Sequence, residues 1–192
     1  FQNIFTDRTF LEDIQLLPAG HYAILDLKQQ RPILKRTQYW GYHFREPSDR
    51  AKDDEYKEEL DRLIKQAVNR QLVADVELGS YLSGGMDSGT LTALAARELP
   101  YIKTFTCGFD LSSASGMELV FDERAKAEAM SALYKTEHYE MVLKSGDMER
   151  CLPKFSWHLE EPRVGQSYPN YYVAQLASKF VNVVLSGAGG DE

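Results

Sequence analysis

The sequence predicts an α/β fold in which a parallel sheet is flanked by helices, with a small N-terminal β-hairpin in front of it. From residue 53 onward, short apolar stretches alternate with segments of helical periodicity, which is the pattern of strand–helix units. Before residue 46, two strand-like stretches surround a polar break, as in an antiparallel hairpin. With 192 residues, the chain is long enough for one full core and a small second lobe.

The hairpin is predicted from the alternation of apolar and polar residues at 21–27 and 31–40. Residues 41–52 are rich in charges and have no periodicity, a composition that is typical of a linker. We therefore predict two domains, one at residues 1–45 and one at residues 46–192.

The second domain is expected to open with a helix whose candidate N-cap is Asp53. Its buried stripe is predicted from residues at helical spacing, namely Tyr56, Leu60, Leu63, Ile64, Ala67 and Leu72. The later elements are a strand at 76–82, a helix at 88–97, a strand at 103–109, a helix at 122–134, a strand at 138–143, a helical region broken by Pro153, a helix at 170–180 and a strand at 181–185. The helix at 122–134 is expected to bury Ala125, Ala129, Ala132 and Leu133.

The overall composition excludes several function classes. The net charge of -7 and the pI of about 5.2 argue against a nucleic-acid surface, because Lys and Arg are scattered rather than clustered. No stretch approaches the roughly 20 apolar residues that a membrane span requires. Two cysteines, Cys107 and Cys151, form neither a disulfide framework nor a metal cluster, so we expect a reducing, cytoplasmic location.

The strongest local signal is the loop at residues 83–88, Ser-Gly-Gly-Met-Asp-Ser, between a predicted strand and a predicted helix. Consecutive glycines let backbone amides converge on an anion, and the helix adds unpaired amides and the positive end of its dipole. Ser83 and Ser88 can donate hydroxyl hydrogen bonds. The loop contains no lysine and therefore differs from a Walker A loop.

Without a lysine, the charge of a triphosphate must be offset by a metal ion, and Asp87 is the natural Mg²⁺ ligand beside this loop. A tight strand-to-helix turn that binds no ligand also explains two glycines in this position. A second loop, Ser-Gly-Ala-Gly-Gly-Asp-Glu at residues 186–192, repeats the arrangement of strand, glycine turn and acid at the end of the chain.

These two loops resemble known motifs. Ser-Gly-Gly-x-Asp-Ser is similar to the signature loop of the ATP pyrophosphatase families, which adenylate a carboxylate or carbonyl oxygen and release pyrophosphate. Ser-Gly-x-Gly-x-Asp-Glu resembles a stretch of asparagine synthetases and β-lactam synthetases. The resemblance implies an adenine nucleotide alpha hydrolase-like fold and the asparagine synthetase family.

The family resemblance also implies a ligand set. ATP is expected to bind to residues at the strand ends, namely Leu82, Ser83, Gly84, Gly85, Asp87, Ser88, Cys107, Ser186 and Gly187. In this interpretation the backbone near Cys107 borders the adenine, and Asp87 and Asp191 share Mg²⁺. The family's later catalytic lysine would lie beyond Glu192, so no catalytic residue is assigned within the chain.

The N-terminal segment resembles the closing strands of the glutaminase domain that precedes the synthetase domain in this family, through Leu-Pro-Ala-Gly-His-Tyr at residues 17–22. The glutaminase nucleophile would be an N-terminal cysteine, whereas this chain starts with Phe1. We therefore expect the natural protein to continue beyond both ends and the chain alone to be inactive.

The function that the resemblance implies is an ATP-dependent ligase that uses glutamine or ammonia, adenylates aspartate to make asparagine, and releases AMP and pyrophosphate. A homodimer is an assembly that it allows. Two departures keep other interpretations open: Ala188 stands where asparagine synthetases typically have Glu, and Gly89 replaces a possible phosphate-binding serine. The alternatives are a related amidotransferase or cyclase acting on a sugar acid, a peptide or a β-lactam precursor, and a nucleotide-binding remnant without turnover.

Overall fold

A computed structural model of the chain describes residues 7–28, 33–44, 52–113, 122–160 and 167–189. The chain divides into two units, Phe1–Ala51 and Lys52–Glu192. The first unit contains an antiparallel pair of strands, and the second contains a parallel sheet with helices.

The strand pair of the first unit consists of β1 (His21–Asp26) and β2 (Ile33–Gln38), which run antiparallel in unbroken register. The predicted hairpin is therefore confirmed, although its turn at residues 29–32 lies outside the described residues. Two strands alone cannot enclose a core. Accordingly, Ile24 and Leu34 remain 58% and 51% exposed.

The second unit alternates strands and helices along the chain. Its helices are α1 (Asp53–Gln71), α2 (Met86–Glu98), α3 (Arg124–Tyr134), α4 (Asp147–Leu159) and α5 (Ser167–Ala177). Its strands are β3 (Leu78–Tyr81), β4 (Lys103–Phe109), β5 (Glu137–Leu143) and β6 (Val183–Leu185). All pair in parallel in the spatial order β5-β4-β3-β6, which confirms the predicted α/β fold with helices flanking a parallel sheet.

Helices cover both faces of this sheet. On one face, Phe105 of β4 packs in a buried cluster with Val173 and Ala177 of α5. On the other face, the hydroxyl groups of Ser80 in β3 and Thr92 in α2 are 2.8 Å apart and form a buried hydrogen bond. The two faces follow from the period of two in a strand, because side chains alternate between them.

The prediction for α1 is correct in type and wrong in two details. Its N-cap is Lys52 rather than Asp53, which instead lies in the first turn, where a carboxylate interacts favourably with the helix dipole. Val68, which lies outside the predicted stripe, is buried with Ala95 and Ile102; Ile64 and Leu72 of the stripe pack against this cluster, whereas Leu60 is 59% exposed. The N-terminal half of the helix therefore buries little surface within this unit.

The inward face of α3 also differs from the prediction. Ala127 and Ser131 are buried, whereas Leu133 of the predicted face is 73% exposed. Helix α3 packs closely against the neighbouring elements. Small side chains such as alanine and serine allow a closer approach than a leucine side chain does. Pro153 does not break α4, because it lies on the exposed side, where water can satisfy the carbonyl group that loses its partner. None of the helices in the described ranges is both long and apolar enough to cross a bilayer.

Candidate nucleotide-binding site

Two glycine-containing loops meet at the carboxyl ends of β3 and β6. These strands are parallel neighbours, with Ser80 paired to Leu185, so residues 83–88 and 186–189 leave the sheet at the same edge. Because β3 has β4 on its other side, the strand order reverses between β3 and β6. Ligands of open α/β sheets bind at such a reversal, outside the carboxyl ends of the strands.

The second loop lies directly against the N-terminus of α2. A Cβ atom added to Gly187 would lie 2.7 Å from the backbone nitrogen of Ser88 and 3.1 Å from the carbonyl carbon of Asp87. Both distances are shorter than ordinary van der Waals contact, and both neighbours are backbone atoms that cannot rotate away. Glycine at 187 is therefore what allows the two loops to approach each other this closely.

Hydrogen bonds within the first loop hold its shape. The hydroxyl oxygens of Ser83 and Ser88 are 2.9 Å apart, and the backbone N–H of Ser83 donates to the Ser88 hydroxyl at 3.2 Å. The N–H of Gly85 donates to the Ser83 hydroxyl at 3.3 Å. The two serine side chains therefore hold the loop in a closed shape. A ligand that accepts hydrogen bonds from these hydroxyl groups would replace hydrogen bonds that the loop already makes.

The first turn of α2 supplies backbone donors at this point. The N–H of Gly89 donates to the carbonyl of Gly85 at 3.0 Å, so the preceding amides of Met86, Asp87 and Ser88 have no partner within the helix. The positive end of the helix dipole adds to their preference for an anion. The half-buried carboxyl group of Asp87 lies in the same turn.

A cavity of about 710 Å³ opens in front of these loops. The residues that line it come from five parts of the chain: Tyr81, Leu82, Ser83, Gly85, Met86, Asp87, Ser88, Phe105, Thr106, Cys107, Phe109, Glu123, Pro169, Asn170, Val173, Ala174, Ser186, Gly187 and Ala188. Eight of the predicted ATP-binding residues are among them, so the fold brings together positions that are separated by about 100 residues in the sequence. A volume of this size is typical of a pocket for a small organic ligand.

Three predicted positions have a different outcome. Gly84 is absent from the cavity lining; with a φ of 80°, it lies instead against α3. Asp191 lies outside the described residues, so its predicted metal role stays a prediction. A Cβ atom added to Gly89 would lie 3.0 Å from the sulfur of Met130, so a serine there would point at α3 rather than into the cavity.

The lining differs in character between the two loops and the side formed by β4 and α5. The described lining residues include two carboxylates, Asp87 and Glu123, and no basic side chain. Toward β4 and α5 most of the lining residues are apolar. Burial raises the pKa of the Cys107 thiol to about 12, and the nearby Arg124 has a smaller effect that lowers it. The cavity thus has a backbone-rich polar end at the loops and an apolar end at β4.

Glu123 and residues of α5 line this cavity but are not among the predicted ATP-binding residues. The sequence shows Asp122 and Glu123 as an acidic start of a helix. Arg124 binds one of these two carboxylates and leaves the other available at the cavity. Its guanidinium group binds Asp122, with Nη2 2.6 Å from Oδ2, and donates to the carbonyl of Phe109 at 2.7 Å. Residues of α5 such as Val173 carry no local signal, because only tertiary packing brings them to the cavity.

The described residues do not contain a preformed metal cluster: no group of three or more His, Cys, Asp or Glu side chains is arranged to hold an ion. The single carboxylate of Asp87 in the first turn of α2 fits an ion that also takes oxygens from phosphate and water, as Mg²⁺ does. The glycine-bounded amides of α2 fit the phosphates themselves.

Comparison with known proteins shows the family to which the chain belongs. The family model described as asparagine synthase matches residues 59–192, which include both loops. This chain belongs to the asparagine synthase family. The asparagine synthase match covers the whole parallel sheet of the second unit and all of the cavity lining.

Individual relatives agree with the family assignment. A protein of Mycobacterium bovis, provisionally named a glutamine-hydrolyzing asparagine synthetase, is 33% identical over 96% of this chain and 27% of its own length. A similarly named protein of Methanocaldococcus jannaschii is 34% identical over 92% of this chain and 32% of its own length. Glutamine-hydrolyzing asparagine synthetase 1 of Bacillus subtilis is 33% identical over 74% of this chain and 22% of its own length. The chain thus spans between a fifth and a third of each of these relatives.

Proposed function

We propose that this chain is the ATP-binding part of an amide-forming ligase that uses glutamine or ammonia and adenylates a carboxylate, releasing AMP and pyrophosphate. One observation supports this most directly: in a chain of the asparagine synthase family, the glycine loop at 186–189 lies against the N-terminal amides of α2 at the mouth of a cavity. Backbone amides and a helix dipole are suited to phosphate oxygens.

Each end of the cavity has a role in this proposal. The phosphates bind at the amides of α2 and the hydroxyls of Ser83 and Ser88, beside Ser186 and Gly187 of the second loop. The adenine binds at the apolar end, between Leu82 and Cys107. Asp87, together with Asp191, holds Mg²⁺, which supplies neutralising charge for the phosphates and for the departing pyrophosphate.

The acceptor carboxylate is proposed to be aspartate. The family implies aspartate as this acceptor. The predicted location of the protein is still the cytoplasm. Ala188 favours the alternative of another carboxylate, because it lines the cavity with a methyl group at a position where the motif typically has an acid. The strands at residues 1–45 are proposed to close a glutaminase-like domain that supplies the ammonia.

ATP–pyrophosphate exchange by the intact protein tests both parts of this proposal. We expect exchange in the presence of aspartate and Mg²⁺, and exchange with a sugar acid, a peptide or a β-lactam precursor instead if the alternative holds. Asp87→Asn should abolish exchange, whereas Asp75→Asn, an exposed carboxylate outside the cavity, should leave it unchanged. Exchange that persists in Asp87→Asn would contradict the metal role, and no exchange with any carboxylate would contradict the ligase.

A further inference from the structure

Helix α3 rests on the glycine loop at Gly84. A Cβ atom added to Gly84 would lie 2.5 Å from Cβ of Lys126 and 3.2 Å from the backbone nitrogen of Ala127. Gly84 also has a φ of 80°, a conformation that residues with a side chain rarely adopt. The loop that is proposed to hold the phosphates is therefore packed against the turn of α3 that contains Lys126.

Lys126 does not itself line the cavity in this structure, but the direction of a helical side chain lets its ammonium group reach toward it. Side chains in an α-helix lean toward the N-terminus of the helix, over the turn that precedes them. For Lys126 that turn begins next to Glu123, the N-cap residue of α3, and Glu123 lines the cavity. Rotation of the flexible four-carbon stem of lysine would therefore carry the ammonium group from the Gly84 contact to the cavity mouth.

Lys126, unlike its described neighbour Arg124, has no partner already. Arg124 is bound to Asp122 and to the carbonyl of Phe109. Within the described part of the chain, the exposed ammonium group of Lys126 has no hydrogen bond or ion pair. A positive charge beside an anion site that lacks any basic lining residue is electrostatically favourable.

We propose that Lys126 contacts the terminal phosphates of ATP, so that α3 supplies the cation which a Walker A loop carries within its own sequence. This role rests on the proposed function, because it requires a triphosphate at residues 83–88. It is specific for the β and γ phosphates, since Lys126 lies at Gly84, at the loop end of the cavity, and away from the apolar end at β4. A surface lysine in water would bind no part of the nucleotide.

Titration calorimetry on the intact protein with Mg²⁺ tests this role through binding rather than turnover. Lys126→Gln should weaken ATP and pyrophosphate by roughly ten- to a hundredfold, the range for a hydrogen bond between charged groups, and leave AMP unchanged. Lys126→Arg should restore most of the affinity because the charge is kept. Lys154→Gln, an exposed lysine on α4, is the matched control and should bind all three ligands normally.

Each contrary result points to a different failure. Unchanged ATP affinity in Lys126→Gln would overturn the phosphate contact. An equal loss of ATP and AMP would show that Lys126 only supports the loop, which also overturns it. If the unsubstituted protein binds AMP and ATP equally, the triphosphate subsite is absent and the inference fails, while the nucleotide site stands. If it binds neither, the proposed function fails with it.

Discussion

Replacing Gly187 with alanine should disrupt the site through a single methyl group. The new Cβ would lie 2.7 Å from the backbone nitrogen of Ser88, whereas ordinary contact begins at 3.4 Å, so the loop and α2 must separate by about 0.7 Å. Forcing an extra methyl group into a packed region costs about 1–3 kcal/mol. Gly187 does not have a positive φ, so this cost arises from the contact and not from backbone strain.

Two measurements check this prediction. Urea denaturation should show an unfolding free energy that is about 1–3 kcal/mol lower with an unchanged slope. Calorimetry should show ATP affinity reduced by at least about tenfold, because the phosphate would lose one well-placed amide donor and 1.4 kcal/mol corresponds to a factor of ten. Both effects come from the same displacement and should appear together.

The matched control is Gly89→Ala, two residues after Asp87 in α2. Its new Cβ would meet the flexible sulfur end of Met130 at 3.0 Å, and alanine is favoured over glycine inside a helix by about 1 kcal/mol. We expect unchanged ATP affinity and equal or greater stability. The reasoning would be refuted if Gly187→Ala bound ATP normally, or if both alanine variants lost affinity to the same extent.

Three further predictions concern charged and titrating groups. Arg124→Gln should lower the unfolding free energy, measured in urea, by about 1–3 kcal/mol, because it removes the side-chain hydrogen bonds that lower the pKa of Asp122. This stabilisation is present above pH 3.8 and is lost as the pH falls below that value. Burial lowers the pKa of His138, so the unfolding free energy should fall as the pH drops below 6.5, and His138→Gln should flatten that dependence. With its pKa raised to about 12, Cys107 should react with iodoacetamide at pH 8 far more slowly in the folded protein than in urea.

These predictions have their own controls. A double-mutant cycle with Asp122→Asn isolates the Arg124 pair, and additive effects of the two substitutions would show that they do not interact. His43→Gln, an exposed histidine, should leave the pH dependence as it is; a slope that persists in His138→Gln belongs to another group. Alkylation of Cys107 is followed in a Cys151→Ser background, and equal rates in folded and unfolded protein would contradict its burial.

Local patterns are sufficient for most of the fold. The short strand-like stretch at residues 103–109 predicts β4 with the bounds that the structure has, because a buried strand carries its own local signal. The loop at 83–88 is also visible in the sequence, because a turn that brings backbone amides together needs consecutive glycines. Helix faces are less predictable: Leu133 is exposed and Ser131 is buried, because packing distance rather than hydrophobicity decides which side of α3 faces inward.

The sequence by itself determined the alternating strands and helices, the two glycine loops and the resemblance to the asparagine synthase family. Tertiary structure alone decided that β6 pairs with β3, which joins residues 83–88 to residues 186–189 and places Gly187 against Ser88. It also brought α5 to the cavity and set Lys126 beside Gly84. The physical reason is range: hydrogen bonds and side-chain periodicity act along a few residues of chain, whereas packing joins segments that the sequence keeps far apart.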